Sequence, residues 1–232
     1  MKTLGINISH NASICQVTDG KIDFYYEEDR FNKNKNYIPL IDDCYFKSIE
    51  KHVTEKPDNI CVTSFDSRGQ DLLGKHKLGD LIIAKKIAEQ IGTDKVYFNP
   101  DNHHLHHAIC ARHFSGFKNC IIVVMDGGGS QLFPTYQEVE SIYIYEGNEY
   151  KRVYLQPADL QKLSKEYTIE LLKKAFEYSD YNNVVLSGGY ALNCVNNYEY
   201  VKEFPEKNFF IDPVAHDGGT AIGAALLLND KK

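Results

Sequence analysis

The sequence predicts an α/β protein built as two similar lobes, each a mixed sheet flanked by helices, with a cleft between them. Three observations predict it. The order of strand-like and helix-like segments in residues 1–117 is repeated in residues 118–232. Glycine-containing turns follow successive strand-like segments in the second half. A histidine run, His103-His104-Leu105-His106-His107, stands just upstream of an apolar segment that ends on Asp126.

The first half opens with three strand candidates, residues 3–9, 13–18 and 21–27, the last two joined by a tight Asp19-Gly20 turn. A mixed stretch at 40–54, a strand at 60–64 and a helix at 79–91 follow. A short strand at 95–99 then leads into a histidine helix at 103–114. The second half begins the same way, with a buried apolar strand at 120–125, strand-like runs at 131–137 and 140–145, and 149–155 after a Glu146-Gly147-Asn148 turn. Residues 157–178 read as one long amphipathic helix with Leu160, Leu163, Ile169, Leu172 and Phe176 at helical spacing. A strand at 183–186, a helix at 191–204, a strand at 209–212 and an alanine-rich helix at 218–228 complete the chain. Duplicated element order points to two lobes with a site between them, the plan of the actin-like ATPases. There, phosphates sit near the turn opening each lobe, where Asn11 and Gly127, Gly128 and Gly129 fall.

Composition narrows the function classes. At 232 residues, with 43% hydrophobic and 25% charged residues, the chain can bury a sizeable core. A net charge of −6 argues against broad nucleic-acid binding, so transfer onto tRNA is not expected. No apolar run is long enough to cross a bilayer, and the opening Met1-Lys2-Thr3-Leu4 enters a strand without signal-peptide character, so a cytoplasmic protein is expected. The six cysteines show no paired C-x-x-C spacing, which speaks against a zinc ribbon or a disulfide scaffold.

In a helix over 103–114, His103 and His107 are four residues apart and project from one face. Two imidazoles so placed can share a transition metal with carboxylates arriving from elsewhere. Asp126 and Asp217, at or just beyond the carboxyl ends of buried strands, are the candidates. Such a set suits Fe(II), Mn or Zn, and ligand type alone does not choose among them. Three turns, Asp126-Gly127-Gly128-Gly129, Ser187-Gly188-Gly189 and Asp217-Gly218-Gly219, can present backbone N–H groups to a phosphate. Small residues after the third allow close helix packing.

With these segments in place, the chain resembles the O-carbamoyltransferases of nodulation-factor and antibiotic tailoring, relatives of the enzymes that place threonylcarbamoyl on tRNA. The matching stretches are Gly5-Ile6 through His10-Asn11-Ala12, Asp19-Gly20 with Glu27-Glu28-Asp29-Arg30-Phe31, and His103-His104 with His107-Ala108. Asp126-Gly127 with Gly129, Ser187-Gly188-Gly189 through Ala191-Leu192-Asn193-Cys194 and Asn196, and Asp217 with Gly219-Thr220-Ala221 and Gly223-Ala224-Ala225 follow in order.

The resemblance implies transfer of a carbamoyl group from carbamoyladenylate, made from carbamoyl phosphate and ATP, to an acceptor hydroxyl. It implies that His103, His107, Asp126 and Asp217 hold a metal, iron by preference, and that Gly188, Gly189 and Asn193 contact the adenosine. His10 would act as general base or orient the acceptor, with His104 as a second catalytic candidate. Ending at Lys232, the sequence is expected to be a compact form without the family's C-terminal adenylate-forming domain, drawing carbamoyladenylate from a partner protein. Asn11 stands where the family pattern has Asp, Asn36 where it has His, and Ser130 where it has an acidic residue. Those departures raise a second expectation, a non-catalytic nucleotide-binding module that completes or regulates a partner enzyme.

Overall fold

The computed structural model describes residues 1–42, 44–64, 75–98, 102–127, 131–133, 136–157 and 165–229. Two mixed sheets carry the fold. The first contains β1 (Lys2–Asn7), β2 (Ser13–Thr18), β3 (Lys21–Glu27), β4 (Asn59–Thr63) and β5 (Val96–Phe98), in the order β3-β2-β1-β4-β5. The second contains β6 (Cys120–Met125), β7 (Gln131–Phe133), β8 (Tyr136–Glu146), β9 (Glu149–Pro157), β10 (Asn183–Ser187) and β11 (Asn208–Ile211). Its order is β11-β10-β6-β8-β7, with β9 also paired to β8.

The duplication read from the sequence is a duplication of pairing. β1 runs antiparallel to β2 and parallel to β4, as β6 runs antiparallel to β8 and parallel to β10. The central strands β1 and β6 are buried almost throughout, and β6, Cys120–Met125, reads as a continuous apolar run, as a strand covered on both faces does.

The α-helices among the described residues are α1 (Asp29–Asn32), α2 (Lys47–His52), α3 (Lys75–Ile91), α4 (His103–Ser115), α5 (Lys165–Glu177), α6 (Cys194–Glu203) and α7 (Gly219–Asn229). α7 packs on β1, β2 and β4 of the first sheet, while α4 packs on α7 and on β6, β8 and β10 of the second. The two sheets thus enclose a layer of two helices, and the chain passes from one set of strands to the other just after α4. Close approach is set by glycine. A Cβ on Gly5 of β1 would lie 1.9 Å from the Ala221 carbonyl, and one on Gly223 of α7 would lie 1.9 Å from the His106 carbonyl. This middle layer explains why α7 is apolar nearly all round and why four histidines of α4 are buried.

Three sequence expectations are corrected. Pro157 ends strand β9, and the helix expected over 157–178 is α5, Lys165–Glu177, with 158–164 outside the described residues. Proline is compatible with the end of an edge strand. The helix expected over 191–204 is divided into a 3-10 turn, Gly189–Leu192, and α6, because the Asn193 side chain accepts from Asn196 N–H and caps a new helix. The strand expected over 131–137 stops at Phe133, and residue 137 belongs to β8. Among the described residues, no helix is long and apolar enough to cross a membrane.

Candidate metal centre

The first turn of α4 places His103 and His107 side by side, with ring centroids 4.9 Å apart and planes at 82°. Asp126 leaves the end of β6, and Asp217 lies in the turn that enters α7. One donor atom from each of the four lies within 4.8 Å of all the others, and all four residues are buried. His103 Nε2 is 3.3 Å from Asp126 Oδ2 and 3.7 Å from Asp217 Oδ1. His107 Nε2 is 3.6 Å from Asp126 Oδ2 and 3.7 Å from Asp217 Oδ1. The helix and two turns read separately from the sequence therefore meet at one point.

Each carboxylate divides its oxygens. Asp126 turns Oδ2 to the histidines, while Oδ1 accepts the backbone N–H of Gly127 at 2.8 Å and of Gly189 at 3.2 Å. Asp217 turns Oδ1 to the histidines, while Oδ2 accepts from Ser9 Oγ at 3.1 Å and faces His10 Nε2 at 3.2 Å. The outer oxygens are anchored and the inner ones are aimed at a common centre, the arrangement that orients ligands in metal sites.

Burial alone would push His103 down, but the carboxylates of Asp217 and Asp126 overcome it and raise the imidazole to about 10. His107 is raised against burial in the same way. Burial and Asp126 push Asp217 up, and the two histidines overcome both to hold it at about 2. Asp126 lies well below the usual carboxylate range, for burial is outweighed by His103 and His107. Without an ion, the two carboxylates favour the protonated form of both imidazoles.

The residues fit a divalent ion. Two donors each about 2.1 Å from one ion are separated by roughly 3 Å when adjacent and about 4 Å when opposite, close to the spacings found. Neither ring nitrogen of the buried His107 has a hydrogen-bond partner among the described residues. An ion between the four would be met by two neutral imidazoles and two carboxylates, balancing its charge.

The other expected site residues are placed as follows. Gly127 and Gly189 bond Asp126, whereas Gly128 and Gly129 lie outside the described residues. Gly188 takes φ +89°, and a Cβ there would lie 2.1 Å from the Met125 carbonyl, so this loop rests directly on the end of β6. Asn193 is exposed and caps α6. His10 is 39% exposed, and its Nδ1 is 2.9 Å from Asn11 Oδ1. His104 is fully buried, with Nδ1 3.0 Å from Ser141 Oγ, which donates to Glu138 Oε1 at 2.5 Å. Burial pushes His104 down to about 4 and His106 to about 3.

Sequence reasoning missed Ser9 and Asn7. Asn7 is buried, accepts from Ser9 N–H and Oγ, and donates to the carbonyls of His10 and Asn11, fixing the loop that carries Ser9 and His10. A buried asparagine at the end of a central strand was the available signal.

The fold and its buried donor set define a protein of the actin-like ATPase fold with a candidate metal centre between its sheets. Full-length HypF, in a phosphate- and nucleotide-bound form, superposes with a TM-score of 0.61 at 11% identity over 98% of this chain and 55% of its own. The ethanolamine utilization protein EutJ of Carboxydothermus hydrogenoformans gives 0.54 at 12% identity, over 97% and 89% of the two chains. A ROK family protein of Streptococcus pneumoniae gives 0.53 at 12%, over 98% and 97%.

Residues 150–226 match the family model described as Carbamoyltransferase N-terminus. That segment holds Gly188, Gly189, Asn193 and Asp217, with the other three donors lying before it. The chain is 22% identical to the nodulation protein NolNO of Sinorhizobium fredii over 96% of its length and 46% of the relative's. It is 41% identical to an uncharacterized Synechocystis protein over 69 residues, 30% of this chain and 11% of that one. It therefore spans less than half the length of these curated relatives.

Proposed function

We propose that this chain carries out carbamoyl transfer, from carbamoyladenylate made from carbamoyl phosphate and ATP, to an acceptor hydroxyl beside a metal–nucleotide site. The observation that carries the reading is the convergence of His103, His107, Asp126 and Asp217 in an actin-like fold whose residues 150–226 match a carbamoyltransferase segment. A bound Fe(II), or Mn(II) or Zn(II) in the same donor set, would supply Lewis acidity toward the carbamoyl carbonyl or the nucleotide phosphate.

The chain's own groups supply the rest. Gly127, Gly128, Gly129, Gly188, Gly189 and Asn193 hold the nucleotide, with Gly188, Gly189 and Asn193 against its adenosine. His10, with its ring partly exposed beside Asp217, orients the acceptor and takes its proton. The acceptor oxygen bonds the carbamoyl carbon as the bond from that carbon to the phosphate oxygen breaks, and AMP leaves with the electron pair. His104, buried against Ser141 and Glu138, positions α4 rather than touching substrate.

The test is incubation of the protein with Fe(II), ATP and labelled carbamoyl phosphate, with and without a partner that makes carbamoyladenylate, across a panel of hydroxyl acceptors. Labelled carbamoyl ester and AMP are expected. Their absence in every combination contradicts the reading.

One observation favours a second reading, a nucleotide-binding module that completes or regulates a partner enzyme without turnover. Asn11 Nδ2 donates to Asn36 Oδ1 at 3.2 Å, so positions where the resembling family carries Asp and His hold a neutral amide pair. ATP binding with no carbamoyl product in any reconstitution is its expected signature.

A further inference from the structure

We infer that Glu27 and His216 form a clamp that sets Asp217 for metal binding and act as positioning residues outside the four donors. This inference rests on the metal reading above. Asp217 lies in the short connection between β11 and α7. Its backbone carbonyl is held from the α7 side by Thr220, through N–H at 2.9 Å and Oγ1 at 2.6 Å.

The next peptide, at Gly218, is held from the first sheet. Ser13 Oγ of β2 donates to the Gly218 carbonyl at 2.8 Å, and the Gly218 N–H donates to His216 Nδ1 at 3.0 Å. A ring that accepts at Nδ1 carries its proton on Nε2 when neutral, and Nε2 faces Glu27 Oε1 of β3 at 3.4 Å. The same oxygen accepts from Tyr25 Oη at 3.1 Å. A Cβ at Gly218 would lie 2.5 Å from Tyr25 Oη and 2.6 Å from His216 Cε1, so the peptide is wedged between the two rings.

The side chains of Glu27 and His216 are 17% and 28% exposed. The pair is largely sheltered and, through Tyr25 Oη, tied to the first sheet as well as to the loop. What it does fix is the backbone on the C-terminal side of a ligand whose Oδ1 must meet His103 and His107 within a few tenths of an ångström. Partners of this kind typically change metal affinity 10- to 100-fold when removed.

The experiment is Mn(II) titration of the whole chain, free ion being read by electron paramagnetic resonance, alongside melting with and without Mn(II). Glu27→Ala and His216→Ala are each expected to weaken Mn(II) binding about 10- to 100-fold. The loss of affinity should appear in chains that are still folded at the temperature of the titration, as the metal-free melts show, and the double variant should be no weaker than the worse single. His216→Asn, whose Oδ1 can replace Nδ1 as acceptor for Gly218, should recover most of the affinity. Should the alanine variants fail to fold, His216→Phe, which keeps a ring but has no acceptor for Gly218, takes their place with the same expected loss. Variants that bind Mn(II) within twofold of the parent overturn the clamp and leave the metal reading standing. A parent chain that binds none of Mn(II), Fe(II) and Zn(II) overturns both.

Discussion

The backbone N–H of Gly189 donates to Asp126 Oδ1 at 3.2 Å, joining the glycine turn after β10 to a carboxylate of the candidate metal centre. A change in one must be felt by the other. If that turn holds phosphate, metal and nucleotide bind as one linked system, and linkage requires the coupling to be reciprocal.

Calorimetric titration checks this. ATP should bind at least about fivefold more tightly to the Mn(II)-loaded chain than to the metal-free chain, and Mn(II) should gain the same factor from ATP. Gly189→Ala would place a Cβ 3.2 Å from Asp126 Oδ1 and should reduce both affinities together.

The buried histidines fix how stability depends on pH without metal. His103, at about 10 against an ordinary 6.5, and His107, also raised, bind protons more tightly folded than unfolded. Their contribution is full below 6.5 and is lost as pH rises toward 10. His104 and His106, pushed down by burial to about 4 and about 3, act in the opposite sense, and stability falls as pH drops below 6.5. Asp217 contributes above 3.8 and loses its contribution toward 2. The metal-free melting temperature should therefore peak near pH 6.5 and fall by about pH 5 and about pH 9. Mn(II), by replacing the protons on His103 and His107, should flatten the alkaline decline.

Neighbouring histidines of α4 should respond differently to one substitution. The ring nitrogens of His106 have no hydrogen-bond partner among the described residues, and the side chain is buried. Replacing an unpaired buried polar group by an apolar one removes a desolvation cost of roughly 1–3 kcal/mol. His106→Leu should keep or raise stability in urea unfolding and leave Mn(II) affinity unchanged. His107→Leu should abolish Mn(II) binding.

Two glycines should be intolerant of a single methyl group. Gly223→Ala would drive a Cβ to 1.9 Å from the His106 carbonyl and push α7 off α4. Gly188→Ala would meet the Met125 carbonyl at 2.1 Å while holding φ at +89°. Each should cost more than about 2 kcal/mol in denaturant unfolding, the mechanism being overpacking for the first and backbone strain with overpacking for the second. Gly147→Ala, at positive φ but with open space around it, should cost less than either.

Much of this site is written in local spacing. Four-residue separation in a helix places His103 beside His107, and acidic residues at or beyond strand ends marked Asp126 and Asp217, so the four side chains that meet were readable as candidates from the chain. The duplicated strand order was readable for the same reason, since antiparallel and parallel neighbours follow from connection length. What was not readable depends on distant contacts. Ser9 meets Asp217 across 208 residues, and His104 finds Ser141 and Glu138 on β8, with no local pattern announcing either. Helix limits failed where chemistry interrupts periodicity. Asn193 restarts the helix as a cap, and Pro157 closes a strand although apolar spacing continues past it.

The central claim is that His103, His107, Asp126 and Asp217 share one divalent ion, and metal stoichiometry tests it most directly. Elemental analysis after loading with Fe(II), Mn(II) or Zn(II) and removal of excess ion should give close to one ion per chain for the parent. His103→Ala and Asp126→Ala should give nearly none. Equal metal content in the parent and both variants would contradict the account.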